Sequence, residues 1–248
     1  MNKITLGCCV YTVRDEFAKD PYATLYALAD MGYTATEIGD FTTLGSRELK
    51  NALRKAGLSL SCIHFAIEYQ EAWTRHILEF ADMLGSRYIG YPALRAGKAD
   101  SAEGYKEEAE VMNKLGKIYK ANGFMMLYHN HDFEFKRFGG QYGLDILREY
   151  TDPELVSFEL DTYWIARGGE CPQEYMKKFA GRVPVVHCKD KAEDDFFAPV
   201  GEGTLDFPAI VAAAREIGAT TFLVEQDAWR RPSLECARSS YEYLSTLL

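Results

Sequence analysis

Two histidines and two acidic residues follow a short apolar segment, in the sequence FMMLYHNHDFEF at residues 124–135. His129, His131 and Glu134 carry the imidazole and carboxylate groups that bind divalent metals and transfer protons. If the segment is a strand, His129 and His131 point to the same side of it, because alternate residues of a strand share a face. The segment therefore predicts reactive chemistry at the end of a buried strand.

Four other apolar segments also end in side chains that can bind metals or move protons: SCIHFAIE, VSFELD, VPVVHCKD and TFLVEQD. The residues concerned are His64, Glu68, Glu159, Asp161, His187, Lys189, Asp190, Glu225 and Asp227. Any one of them alone is more often a hydrogen-bonded loop residue than a ligand. Burying so many ionisable groups together costs free energy unless a cation compensates them, so we expect a shared divalent metal, Mn²⁺, Mg²⁺, Co²⁺ or Zn²⁺.

The elements that position these residues alternate regularly along the chain. Eight apolar runs predict strands at residues 4–10, 36–38, 58–66, 88–91, 124–129, 156–161, 183–188 and 221–225. Amphipathic segments predict helices at residues 21–31, 46–56, 73–84, 102–121, 144–150, 173–179, 207–217 and 233–247. Continuous apolar strands that alternate with helices indicate a parallel sheet buried on both faces.

At 248 residues, eight strand and helix units predict an α/β protein with the closed (β/α)8 TIM barrel fold, in a single domain over residues 1–248. The rival, a doubly wound open sheet, would carry a G-x-G-x-x-G turn, which the sequence lacks. In a TIM barrel the reactive residues lie at the carboxyl ends of the strands. Four of the five histidines follow this rule, and His76 falls in a predicted helix.

Composition excludes several classes of protein. The formal charge of −9 has its acidic residues spread along the chain, which disfavours binding to nucleic acid. The sequence contains no stretch of 18 apolar residues, so it does not predict a membrane span. The first residues show no signal-peptide pattern, and the six cysteines form no C-x-x-C pair, so we expect a cytoplasmic protein with reduced thiols. Assembly into a homo-oligomer is compatible with the sequence.

Five segments together resemble a known family: YHNHDFEF, FELDTYWIARGG, VVHCKD, PVGEGTLDF and LVEQD. They are similar to the sugar phosphate isomerase/epimerase family of xylose isomerase-like TIM barrels, whose relatives include tagatose and psicose 3-epimerases and inosose dehydratase. The resemblance implies a divalent metal held by Glu, Asp, His and Glu from strands five to eight. Asp161, His187 and Glu225 match the last three of these positions.

The chain departs from the family pattern at two places. On strand five, His129 occupies the position usually held by Glu, so either His129 is the fourth ligand or Glu134 reaches back to take that role. On strand six, Trp164 stands where the epimerases carry a substrate-binding His. His131 resembles a catalytic histidine of the dehydratase relatives.

The remaining site residues receive roles from their chemistry and position. His131, Glu134 and Lys189 are predicted to move protons. His64, Trp164 and Asp227 are predicted to contact substrate. The glycine-rich segment GEGTLDF, at residues 201–207, is either a plain connection or a loop over the site, with Thr204 or Asp206 as the N-cap of the next helix.

The expected function is that of a metal-dependent isomerase or epimerase acting on a sugar, sugar phosphate or polyol through an enediolate. The alternative is a dehydratase, a lyase that acts on a keto-inositol or keto-sugar. A nuclease related to endonuclease IV would need a basic face, which the charge of −9 opposes. A non-catalytic sugar-binding barrel would have no need of the acidic and histidine residues. The expected partner is a small carbohydrate.

Overall fold

Eight parallel strands close into a barrel in the computed structural model of the protein, which describes residues 4–39, 42 and 44–248. The barrel strands are β1 Thr5–Cys9, β2 Ala35–Gly39, β3 Ser59–His64, β4 Tyr88–Tyr91, β5 Met125–His129, β6 Val156–Asp161, β7 Val185–Cys188 and β8 Thr221–Val224. Each pairs with its neighbours in the chain, and β8 pairs with β1 to complete the ring. The predicted fold class is confirmed.

Helices surround this barrel. They are α1 Arg14–Phe17, α2 Pro21–Met31, α3 Ser46–Ala56, α4 Ile67–Ala72, α5 Thr74–Leu84, α6 Ala102–Ala121, α7 Gly143–Tyr150, α8 Thr162–Arg167, α9 Pro172–Tyr175, α10 Phe207–Glu216 and α11 Ser233–Leu244. Short 3-10 turns lie at Val10–Val13, Lys98–Asp100, Phe133–Phe135 and Met176–Phe179. Two small hairpins pair Arg137–Phe138 with Gln141–Tyr142, and Asp190–Lys191 with Phe197–Ala198.

Local sequence explains where several helices begin and end. Asp20 and Ser101 cap α2 and α6, because their side chains accept hydrogen bonds from the backbone N–H groups of Ala23 and Gly104. Helix α2 stops at Gly32, whose φ of 110° suits glycine alone. A side chain there would also collide with Tyr241, since an added Cβ would lie 2.1 Å from its hydroxyl oxygen.

The hydrophobic core has two parts. The larger lies between the barrel and the helices and includes Ile38, Ile63, Ile89, Met126, Phe158, Val186 and Phe222, all fully buried. The smaller fills the barrel interior with Cys62, Leu127, Val185 and Leu223. Polar side chains occupy the barrel interior between this small apolar cluster and the carboxyl ends of the strands. The packed interior therefore supports a site at that end of the barrel.

The structure changes some predicted boundaries. The predicted helix at 173–179 is the short α9 followed by the 3-10 turn Met176–Phe179. Strand β8 ends at Val224, so Glu225 begins the loop after it. Among the described residues, no helix combines the length and apolar character needed to cross a membrane.

Candidate metal centre

Four donor side chains converge at the carboxyl end of the barrel. His129 ends β5, Asp161 ends β6, His187 lies on β7 and Glu225 follows β8, and their donor atoms all lie within 4.8 Å of one another. The parallel register produces this arrangement, since Asp161 pairs with His187 across β6 and β7. All four side chains are buried. This is the chemistry of a site for a divalent cation.

One buried atom of this group, His129 Nδ1, has no hydrogen-bond partner among the described residues. Buried polar atoms are normally satisfied, so an unpartnered imidazole nitrogen beside three other donor side chains fits a metal ligand set. Glu134 is not part of the group. Of the two candidates for the strand-five ligand, the structure brings His129 to the other donors and leaves Glu134 outside.

His187 lies between two sets of carboxylates. Its Nδ1 is 2.8 Å from Glu225 Oε2, and its Nε2 is 3.2 Å from both Glu37 Oε2 and Glu159 Oε1. Burial lowers the pKa of His187, but the charges of Glu159, Glu37 and Glu225 outweigh it and hold the pKa well above its ordinary value. Both ring nitrogens are thus engaged, which holds the ring in one orientation.

Lys189 brings a buried cation to the same place. Its Nζ lies 3.0 Å from Asp161 Oδ2, 2.9 Å from Glu225 Oε2 and 3.0 Å from Asp227 Oδ1. Burial alone would lower the pKa of Lys189, yet these three carboxylates hold the pKa well above its ordinary value. The side chain is therefore an ammonium, and it neutralises part of the negative charge of the donor group.

His131 is a neutral imidazole beside the donor group. Burial, together with the charge of Lys189, lowers its pKa to about 4, so the ring is uncharged at neutral pH. Its Nδ1 has no hydrogen-bond partner in the part of the chain that the structure describes. The ring stacks on Phe133, with centroids 5.4 Å apart, and lies 5.3 Å from the ring of Trp164. The aromatic neighbours thus hold a free base in place.

Glu134 supports the turn that carries His131. Its Oε1 accepts a hydrogen bond from the Tyr128 hydroxyl at 2.6 Å, and its Oε2 accepts one from the His131 backbone N–H at 2.9 Å. Burial raises the pKa of the Glu134 carboxyl to about 8. The Glu134 carboxyl is absent from the described lining of the central cavity, and its role in proton transfer stays a prediction.

A cavity of about 280 Å³ opens above the donor group. Its described lining consists of Cys9, Tyr11, Glu37, Gly39, His64, Pro92, Ala93, His129, His131, Lys189, Glu225 and Asp227. The predicted substrate contacts His64 and Asp227 are in this lining. Trp164, the third predicted substrate contact, is not in this lining. The centroid of its ring lies 5.1 Å from Lys189 Nζ, so the ring packs against the lysine.

Glu37 belongs to the site but is not among the residues that the sequence pattern indicates. This glutamate lies within β2 and is 2% exposed, in a strand whose other residues are apolar or small apart from Thr36. A carboxylate inside a short buried strand was the available signal. Glu37, Cys62, His64 and Glu159 form a second convergent group, with donor atoms again within 4.8 Å of one another.

The glycine-rich segment 201–207 is a connection anchored by Asp190. The Asp190 carboxylate accepts hydrogen bonds from the backbone N–H groups of Gly201, Gly203 and Leu205, at 2.9, 3.0 and 3.2 Å. Asp206, and not Thr204, caps α10 by accepting from the N–H of Ala209. None of this segment is in the described lining of the central cavity.

The closed barrel with donor residues at the carboxyl ends of its strands agrees with the comparison with known proteins. The sequence pattern of the family described as xylose isomerase-like TIM barrel matches residues 25–247. The chain belongs to this family.

Individual relatives refine this assignment. Inosose dehydratase from Clostridium tetani is 26% identical, over 88% of this chain and 86% of that protein. A sugar phosphate isomerase/epimerase from Parabacteroides distasonis, known by its crystal structure, is 28% identical and superimposes with a TM-score of 0.88, covering 98% of this chain and 94% of that one. The IolI protein with a bound zinc atom, 16% identical with a TM-score of 0.74 and 98% coverage of both chains, shares the fold. The chain is an enzyme.

Proposed function

We propose that the protein is a metal-dependent lyase that removes water from a keto-inositol or keto-sugar. The observation that carries this proposal is the pairing of neutral His131 with cationic Lys189 in one cavity, beside the four converging donors. An elimination needs a base for one proton and an acid for the departing hydroxyl group. Neutral His131 can accept the proton, and cationic Lys189 can donate one.

The donor group supplies the first requirement of the reaction. A divalent cation held by His129, Asp161, His187 and Glu225 would polarise the substrate carbonyl and acidify the neighbouring C–H bond. His129 Nδ1 fits this role because it is buried and has no hydrogen-bond partner among the described residues. His187 is oriented for it by Glu37 and Glu159, which lie 3.2 Å from its Nε2.

The proton steps fall to the chain's own residues. His131 takes the proton from the carbon next to the carbonyl, and the electron pair of that C–H bond forms the enediolate of the substrate. The enediolate then expels the hydroxyl group on the next carbon, and Lys189 gives it the proton with which it leaves as water. Asp227, 3.0 Å from Lys189 Nζ, holds the ammonium at the edge of the cavity.

An isomerase or epimerase is the second candidate, favoured by the 28% identical isomerase/epimerase structure. It would share the first proton transfer and return the proton to carbon.

A phosphorylated substrate is disfavoured by the charge of the cavity. Among the described residues that line the cavity, Lys189 is the one permanently cationic side chain, and three carboxylates already surround it. Arg14, near the cavity, donates instead to the backbone oxygens of Tyr11 and Asp227.

A substrate panel tests the proposal. Metal-loaded protein would be incubated with inososes, keto-sugars, keto-glycosides, free ketoses and sugar phosphates, with products followed by NMR. We expect loss of water, or of the β-substituent, from an unphosphorylated ketone. Proton return without elimination would identify the second candidate instead. No reaction with any class would contradict both.

A further inference from the structure

We infer that Glu37, Cys62, His64 and Glu159 form a second divalent-cation site beneath the first. The inference goes beyond the proposed function, because it does not depend on which reaction the enzyme catalyses. The four side chains come from β2, β3 and β6, and their donor atoms all lie within 4.8 Å of one another. Two carboxylates, an imidazole and a thiol are the ligand types of zinc and cobalt sites.

One oxygen of the group has to share its hydrogen-bond donor. Glu159 is fully buried, and its Oε1 lies 3.2 Å from His187 Nε2, a nitrogen that is also 3.2 Å from Glu37 Oε2. The other oxygen, Oε2, lies 2.7 Å from His64 Nε2, and the same nitrogen is 3.4 Å from Glu37 Oε2. A network that existed only to pair these charges would have no use for the thiol of Cys62, and one ring nitrogen of His187 would have to serve both Glu37 and Glu159.

The neighbouring strand leaves room for this group. Gly90 of β4 pairs with His64, and a Cβ added to Gly90 would lie 2.4 Å from His64 Nε2 and 3.1 Å from Cys62 Sγ. A glycine is therefore required for both side chains to take their places. Access comes from the central cavity, because Glu37 and His64 are part of its described lining.

His187 connects the two groups. Its Nδ1 faces Glu225 of the first group, and its Nε2 faces Glu37 and Glu159 of the second. The second group holds two carboxylates, Glu37 and Glu159, and one imidazole, His64, which supply oxygen and nitrogen ligands beside the Cys62 thiol. The two groups are adjacent, because both contact the His187 ring.

Cobalt substitution tests the second site by a signal that the first cannot produce. Cys62 is the one thiol in either donor group, so a Co²⁺ ion in the second site gives a thiolate-to-cobalt charge-transfer absorption. Metal-free protein would be titrated with Co²⁺, with cobalt measured per chain. We expect two ions per chain together with this absorption. Cys62→Ser should abolish the absorption, and Glu159→Gln should reduce the bound cobalt to one ion.

Cys9→Ser is the matched control. Cys9 is also buried, and its Sγ donates to Glu37 Oε1 at 3.3 Å, but it is outside the four-residue group. The absorption should survive in this variant. It should also survive in Asp161→Ala, which removes a ligand of the first site, so the two sites fail separately. One ion per chain without thiolate absorption, or absorption that persists in Cys62→Ser and disappears in Cys9→Ser, would overturn the inference. Circular dichroism establishes that each variant is folded.

Discussion

His129 distinguishes the four converging donor residues of this chain from the ligand set that its sequence resemblance implies. Where the resemblance implies a glutamate, the chain supplies an imidazole, which burial and the nearby charge of His187 keep neutral by lowering its pKa well below the ordinary value. The donor group therefore carries two carboxylates, Asp161 and Glu225, rather than three. A less anionic set with two imidazoles favours Zn²⁺ or Co²⁺ over Mg²⁺.

Substitution of His129 should change both metal affinity and metal preference. His129→Ala removes one of four donors and should weaken the binding of Zn²⁺ at the first site at least about tenfold. His129→Glu restores an oxygen donor and should shift preference towards Mn²⁺ and Mg²⁺. Metal titration by calorimetry measures both effects, with Glu134→Ala as the control. Undiminished affinity in His129→Ala, with loss in Glu134→Ala, would show that Glu134 is the ligand.

His131 should affect turnover without affecting metal content. It lines the cavity and lies outside the donor group, so His131→Asn should lower kcat by about 10²- to 10⁴-fold, the range for loss of a general base. Bound metal, measured by elemental analysis, should be unchanged. His76→Asn is the control histidine, because His76 lies on α5 away from the donor groups. A kcat close to that of the unmodified protein would remove His131 from the proton steps.

Among the elements, the short turn Phe133–Phe135 has a pH-dependent contribution to stability. Glu134 has a pKa raised from 4.5 to about 8 in the folded protein. The folded state therefore holds an extra proton between these values, and its stability falls as the pH rises through that interval. The free energy of unfolding of the unmodified protein should fall by up to about 1.4 kcal/mol per pH unit over this interval. Glu134→Gln, which imitates the protonated acid, should not show this fall.

Thermal unfolding at several pH values measures this difference. The Tm of Glu134→Gln relative to the unmodified protein should rise between pH 5 and pH 8. Glu110→Gln, at an exposed position of α6, should show no such trend. A Tm difference that is constant across this range would mean that Glu134 is ionised in the folded protein.

The connection between β7 and α10 depends on one carboxylate. Asp190 accepts four backbone hydrogen bonds, from Lys191, Gly201, Gly203 and Leu205. Asp190→Ala leaves these N–H groups without their partner and should lower the free energy of unfolding by about 2–4 kcal/mol. Denaturant unfolding provides the measurement. Asp194→Ala, which removes an exposed partner of Arg230, should cost less than about 1 kcal/mol. Equal losses in the two variants would contradict the anchoring role.

At the scale of the whole molecule, the sequence predicts the barrel and most of its reactive end, because apolar runs and the residues that follow them are local features. Asp161, His187 and Glu225 are found in this way. The pairing of His64 with Glu159 is not, since it joins residues far apart in the chain that meet only when the barrel closes. Glu37 is missed for a related reason. The register of β2 against β3 shifts between Thr36 and Glu37, and such an irregularity has no sequence period.

Closure of the barrel brings the ionisable residues of several strands to one cavity, where we propose that a bound metal activates a ketone for loss of water. Reaction of an inosose in D₂O, followed by NMR, tests this most directly. The protein would be used after metal removal, after restoration with Zn²⁺, Co²⁺ or Mn²⁺, and as the Asp161→Ala variant. We predict an unsaturated product with the restored protein, and none with the metal-free protein or with Asp161→Ala. Equal product formation by metal-free and restored protein would contradict the account.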